Sequence, residues 1–86
     1  MIKGKVREFD YEIDEAILDD IEFLELLGEA DENPLLVPKV ARDLLGDDQR
    51  KALYDYLRGD NGRVKTSDVV TVLLEIINSI PGSGKN

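Results

Sequence analysis

The sequence predicts an all-α fold: a small bundle of three to four short helices with a flexible N-terminal arm and a C-terminal tail. Apolar residues recur at helical spacing in four segments, and turns containing Gly, Pro or Asn separate those segments. With 86 residues and no internal repeat, the chain is one small domain. We expect an arm or edge strand at 1–12, a helical domain at 13–80 and a flexible tail at 81–86.

The N-terminal segment alternates only loosely between polar and apolar side chains. It is either an edge strand or an arm, and we favour a loosely packed arm because a single strand is not stable alone. Helix 1 then begins near Asp14, a favourable N-cap whose neighbouring acids suit the helix dipole. Its core stripe follows helical spacing and consists of Ile13, Ile17, Ile21, Leu24 and Leu27.

Helix 1 carries more apolar surface than this stripe needs. Leu18 and Leu26 fall off the stripe, and Phe23 lies at its edge. The helix is therefore either packed between two neighbours or open on one side to a partner, because large exposed apolar patches are rare.

Helix 2 has two possible starts. Asn33 can act as N-cap with Pro34 at the first helical position, or Pro38 can itself occupy that position. In either case Gly46 ends the helix, and helix 3 runs from about Asp47 to Gly59.

Helix 4 begins at Thr66 or Ser67 and runs to about Ile80. Its polar positions form a narrow strip at 68, 71, 75 and 78, and nearly every other position is aliphatic. The β-branched residues of 69–72 leave a strand possible there, but the polar spacing favours a central core helix.

Composition excludes several classes of function. The chain contains no Cys and no His, which removes thiol catalysis, Ser-His or Cys-His nucleophiles and the common zinc sites. The sequence contains no run of about 18 apolar residues, so we expect no segment that spans a membrane. We therefore expect a protein that is not an enzyme and has no cofactor or metal. We also expect it to be cytoplasmic, because the lack of Cys fits a reducing compartment.

Two motifs fail on their surroundings. The segment around Asp60-Asn61-Gly62 resembles a calcium loop, but Leu57 and Gly59 stand where the first oxygen ligands are needed. The segment 82–85 resembles the end of a phosphate-binding loop, but no helix follows to supply its N-terminus.

Charge is distributed unevenly. Residues 1–7 carry three bases, residues 8–38 carry twelve acids and no base, and residues 39–86 carry eight bases and seven acids, which gives the net charge of −8. Direct nucleic-acid binding is disfavoured because phosphate contacts need clustered Lys and Arg. An acidic and strongly apolar segment instead indicates a surface for another protein.

After the acidic, apolar first helix, a spaced pattern of residues runs through the rest of the chain: Pro38-Lys39-Val40, Leu44-Leu45-Gly46-Asp47-Asp48-Gln49, Leu53, Leu57-Arg58, Asp60-Asn61-Gly62-Arg63-Val64, Val69 and Ile76. With these features the chain resembles the small tail assembly chaperones of long-tailed, siphovirus-like bacteriophages. The resemblance covers about residues 12–80.

The resemblance implies binding without chemistry. Such chaperones bind the long, helical tape measure protein and tail tube subunits before the tail polymerises. Apolar grooves would cover helical faces of the partner, and acids around them would steer towards basic stretches. Under this reading, the contact residues come from helix 1 and are Leu18, Ile21, Glu22, Phe23 and Leu26.

Two alternatives stay open. The chain could be an acidic nucleic-acid mimic that occupies a basic cleft of a host enzyme and inhibits it, in which case its carboxylates carry the affinity and salt abolishes binding. It could also be a homo-oligomeric helical structural domain whose extra apolar surface is its own interface.

Overall fold

The computed structural model describes residues 1–80, and it is an α+β fold in which a two-stranded antiparallel sheet joins three α-helices. The all-α prediction is therefore wrong. The strands are β1 (Ile2–Val6) and β2 (Phe9–Ile13), and the helices are α1 (Ile21–Glu32), α2 (Val37–Leu57) and α3 (Thr66–Ser79). The predicted tail at 81–86 lies outside the described residues.

Residues 2–13 form a β-hairpin and not a flexible arm. Val6 pairs with Phe9 across a two-residue turn in which Arg7 has a φ of 58°. A positive φ at a residue other than Gly, Asn or Asp is uncommon, so Arg7 and Glu8 do not indicate a hairpin turn in the sequence. In β2 the side chains alternate strictly, with Phe9, Tyr11 and Ile13 buried and the two acids between them exposed.

Polar contacts dock the hairpin on the helices. The side-chain amide of Gln49 accepts a hydrogen bond from the Glu12 N–H at 2.6 Å and donates one to the Glu12 carbonyl at 2.6 Å. It thereby closes the outer edge of β2, which would otherwise present unpaired backbone groups. On the other side of the sheet, the Tyr11 hydroxyl is hydrogen-bonded to the Ser79 hydroxyl of α3.

Helix α1 begins seven residues later than predicted because two aspartates act in succession as caps. Asp14 caps a short 3₁₀ helix, Glu15–Asp19, by accepting a hydrogen bond from the Ala16 N–H at 2.9 Å. Asp20 is extended and caps α1 by accepting from the Glu22 N–H at 2.9 Å. The break between the two segments changes which side chains share a face.

Each of the two predicted starts of helix 2 is only partly right, because α2 begins at Val37, between them. Asn33 caps a 3₁₀ turn, Pro34–Leu36, and Pro38 lies in the first turn of α2, where its missing N–H has no intrahelical partner to lose. The predicted break at Gly46 is confirmed, since its φ of 79° and ψ of 167° interrupt the helical path within α2. The predicted helix at 66–80 is confirmed as α3.

The core lies where the hairpin, α2 and α3 meet, and α1 packs against α2. β2 packs on α2, β1 packs on α3, and α2 packs on both α1 and α3. Every element contributes to one buried cluster, and its most enclosed large side chains are Ile13, Leu53, Val72 and Ile76.

Candidate partner-binding groove

A small apolar groove of about 100 Å³ lies between α1 and α3. The two helices both pack against α2 and are barely in contact with each other, so a gap remains between them. We call this gap the α1–α3 groove. It is lined by Leu27, Ala30 and Asp31 of α1, by Val37 and Val40 of α2, and by Val70, Leu73, Leu74 and Ile77 of α3.

The wall from α3 exists because that helix is apolar around more than half of its circumference. Val69, Val72, Leu73 and Ile76 are buried, whereas Leu74 is 51% exposed. Val70, Leu74 and Ile77 follow spacings of four and three, so they form a second stripe beside the buried one. Val70 and Ile77 are partly buried against the core, and Leu74 between them is the member of this stripe that is left exposed.

The wall from α1 continues the apolar surface outwards. Leu27 is half-buried in the groove, and Leu24, one turn earlier, is exposed. These two residues stand three apart and therefore lie on neighbouring positions of one helix face. The exposed apolar surface thus runs from Leu24 across the groove to Leu74, which is more than scattered single residues require.

The electrostatics of the groove are one-sided. Asp31 is its only charged lining residue, and no Lys or Arg lines it. Helix α1 also carries four further acids and no base, all of them exposed: Glu22, Glu25, Glu29 and Glu32. The α3 side offers the neutral residues Thr71 and Asn78. A ligand for this groove therefore meets negative charge along one wall only.

The five predicted contact residues do not form one exposed surface. Phe23 and Leu26 are 2% and 6% exposed and belong to the core, so they are not available to a partner. Leu18 is partly buried against that core. Ile21, which was also assigned to the core stripe, is 67% exposed, and Glu22 is exposed beside it.

Sequence reasoning missed the groove residues of α3. The signal was present, because a helix with only a narrow polar strip has more apolar surface than a small two-sided core can cover. The narrow polar strip of α3 predicts a central core helix, in which all the apolar residues would be buried.

A second apolar feature adjoins the groove. Leu35, at 84%, is the most exposed large hydrophobic side chain within residues 1–80. It borders a cleft whose other lining residues are Pro34, Val37, Pro38, Tyr54, Val64, Thr66 and Val69. Val37 lines both this cleft and the α1–α3 groove, so the two features are neighbours.

The loop that resembles a calcium site is a tight turn held by its own groups. The Asn61 side-chain oxygen accepts from the Arg63 N–H at 3.0 Å, and the Arg58 guanidinium donates to the Gly62 carbonyl at 2.9 Å. Gly62 has a φ of 80°, which favours glycine. Within residues 1–80, no group of three or more His, Cys, Asp or Glu side chains is arranged to hold a metal ion.

Comparison of the chain with protein-family models, with curated proteins and with solved structures finds no match. Across the described residues, none of the helices combines the length and apolar character that crossing a membrane requires.

Proposed function

We propose that this protein is a tail assembly chaperone that binds apolar helical segments of a tape measure protein or a tail tube protein through the α1–α3 groove. The observation that carries the proposal is the half-exposed Leu74 of α3, which lies in a groove whose lining is apolar except for Asp31. The sequence resemblance described above supports the same class of function.

A helix is the form of partner that suits this groove. A groove lined by apolar residues of α1, α2 and α3 can accept the apolar face of an amphipathic helix, with anchors three and four residues apart. Fully burying a leucine contributes about 1.5–3 kcal/mol, and Leu74 is half-exposed in the free chain. Leu74 and its neighbours Leu24 and Leu27 therefore have binding energy to contribute.

The acids of α1 support this function in a second way. Their charge keeps an exposed apolar surface in water and speeds the approach of a basic partner. Asp31 is the only one of these acids that lines the groove, and the other four line separate clefts, so they contribute more to association rate than to final affinity.

Co-expression tests the proposal. A tagged chain would be expressed with the tape measure protein encoded beside it, as wild type, as Leu74→Asp and as Leu35→Asp. Leu35→Asp is the matched control, because it places the same charge on an even more exposed leucine outside the groove lining.

We expect the wild type and Leu35→Asp to retain the partner in the soluble fraction. Leu74→Asp should reduce recovery at least about tenfold, because it buries an unpaired charge in the apolar contact. If the partner stays insoluble with the wild type, or co-elutes equally with Leu74→Asp, the groove does not have this function.

The exposed carboxylates of α1 favour one other candidate, a mimic of nucleic acid that inhibits a host enzyme. In that case the combined change of Glu22, Glu25 and Glu29 to Gln would abolish binding to the enzyme, and DNA would compete with the chain. Leu74→Asp would leave that binding intact, so the same variant separates the two functions.

A further inference from the structure

The exposed Leu35 is held rigidly in solvent by its local structure. Asn33 caps the turn, with its side-chain oxygen accepting from the Leu35 N–H at 3.2 Å and its carbonyl accepting from the Leu36 N–H at 3.0 Å. Pro34 fixes the backbone immediately before Leu35. Leu36 packs against the core, so the turn presents one leucine inwards and the next outwards.

This protruding side chain stands at one end of the α1–α3 groove. Leu35 follows Asp31 by four residues and precedes Val37 by two, and both of those residues line the groove. An apolar projection and an apolar depression therefore adjoin each other on one surface. Such a surface is self-complementary under a two-fold rotation, in which each copy both offers the projection and receives it.

We propose that two copies of this chain pair through this surface, with Leu35 of each copy inserted into the α1–α3 groove of the other, close to Leu74. The occupant of the groove in the free protein is thus a second copy. The regulatory consequence drawn below rests on the proposed function, whereas the pairing does not.

Charge favours this pairing. Asp31, in the groove wall, makes no ion pair within residues 1–80. Val64 borders the same cleft as Leu35 and lies between Arg63 and Lys65 in the sequence. Both basic residues are exposed, and neither makes an ion pair within residues 1–80. A two-fold rotation brings a basic edge of each copy towards the acidic wall of the other.

Pairing would regulate access to the groove. The groove of a free chain would be covered by the second copy, and a partner helix would have to displace it. Because the contact is small, centred on one leucine and one groove in each direction, we expect weak pairing that a larger helical partner overcomes by mass action.

Sedimentation of the full chain tests the pairing. We expect the weight-average mass of the wild type to rise from one towards two chain masses of 9.6 kDa between roughly 10 µM and 1 mM, the range of a small interface. Leu35→Asp and Leu74→Asp should each remain monomeric throughout. A monomeric wild type, or a dimer that both variants preserve, would overturn the proposal.

Crosslinking provides a second readout that does not depend on charge. The chain has no cysteine, so Leu35→Cys and Leu74→Cys each introduce a single thiol. Under mild oxidation, a mixture of the two variants, one of them carrying a size tag, should form a disulfide between different chains. A mixture of Ala52→Cys with Leu74→Cys is the control, because Ala52 is exposed in the second half of α2 and outside both apolar features. Equal crosslinking in the two mixtures contradicts the inserted Leu35.

The variants separate this inference from the proposed function. Leu35→Asp should be monomeric yet capture the tape measure protein at least as well as the wild type, since competition from the second copy is removed. If the wild type pairs and the two variants do not, but no form of the chain captures the tape measure protein, the dimer is supported and the chaperone function is refuted. If the wild type captures the tape measure protein through Leu74 but never pairs, the chaperone function is supported and the dimer is refuted.

Discussion

Phe23→Ala and Ile21→Ala together test which face of α1 is buried. The two residues stand two apart on one helix and therefore point to different sides. Phe23 is 2% exposed in the core, whereas Ile21 is 67% exposed at the start of the helix. The stripe read from the sequence makes the opposite assignment, with Ile21 in the core and Phe23 at its edge.

The expected magnitudes differ widely. Removing a buried Phe side chain costs about 3–5 kcal/mol through lost transfer energy and the cavity left behind. For a chain of 86 residues, a total stability of about 4–13 kcal/mol follows from about 0.05–0.15 kcal/mol per residue. Phe23→Ala therefore removes a large part of the stability. Ile21→Ala should stay within about 0.5 kcal/mol, because the side chain is mostly in water.

Urea denaturation followed by far-ultraviolet circular dichroism measures both changes. With a slope of about 1–1.5 kcal/mol per molar urea for a small domain, Phe23→Ala should lower the midpoint by about 2 M or more. Phe23→Leu keeps a smaller apolar side chain and provides a folded variant if the alanine form is largely unfolded. A costly Ile21→Ala together with a mild Phe23→Ala would refute the orientation of α1 described here and restore the stripe that begins at Ile13.

The remaining predictions concern caps and turns. Asp20→Ala should cost about 1 kcal/mol, because it removes the only side-chain cap of α1, and the urea midpoint measures this loss. Gly46→Ala should cost about 1 kcal/mol or more in the same assay, since its φ of 79° is unfavourable for alanine. Gln49→Ala should cost about 1 kcal/mol and speed amide hydrogen exchange at Glu12, because the exposed Glu12 N–H is then left to water; unchanged exchange would show that Gln49 does not protect this edge of β2.

The second half of the fold was predictable because its helix ends and turns are marked by residues with strong local preferences. Asn33 and Pro34 mark the approach to α2, Gly46 marks its break, and Gly62 marks the turn before α3. Each of these residues acts through a local property, a cap, a fixed φ or a positive φ, which does not depend on distant contacts. The helix at 66–79 was predictable from the helical spacing of its polar residues.

The first half was not predictable by the same means. The hairpin turns at Arg7 and Glu8, neither of which is a usual turn residue, so its two strands were read as one weak segment. Asp14 is a genuine cap, but of a 3₁₀ segment, and a periodic pattern cannot reveal that a second cap at Asp20 restarts the helix. A stripe drawn from Ile13 through Ile21 therefore crosses two breaks and mixes a strand residue with helical ones.

The error in fold class and the presence of the groove have one physical origin. An all-α bundle would place a long first helix against both α2 and α3. The hairpin instead occupies residues 2–13, covers α2 and α3 on their other side, and leaves α1 with 12 residues, or about 18 Å, which pack mainly on α2. Leu74 of α3, which a longer helix would cover, stays exposed. A partner helix of about three turns matches the length of the α1 wall, and to lie along that wall it would have to displace the Leu35 side chain of the second copy that we place in the groove.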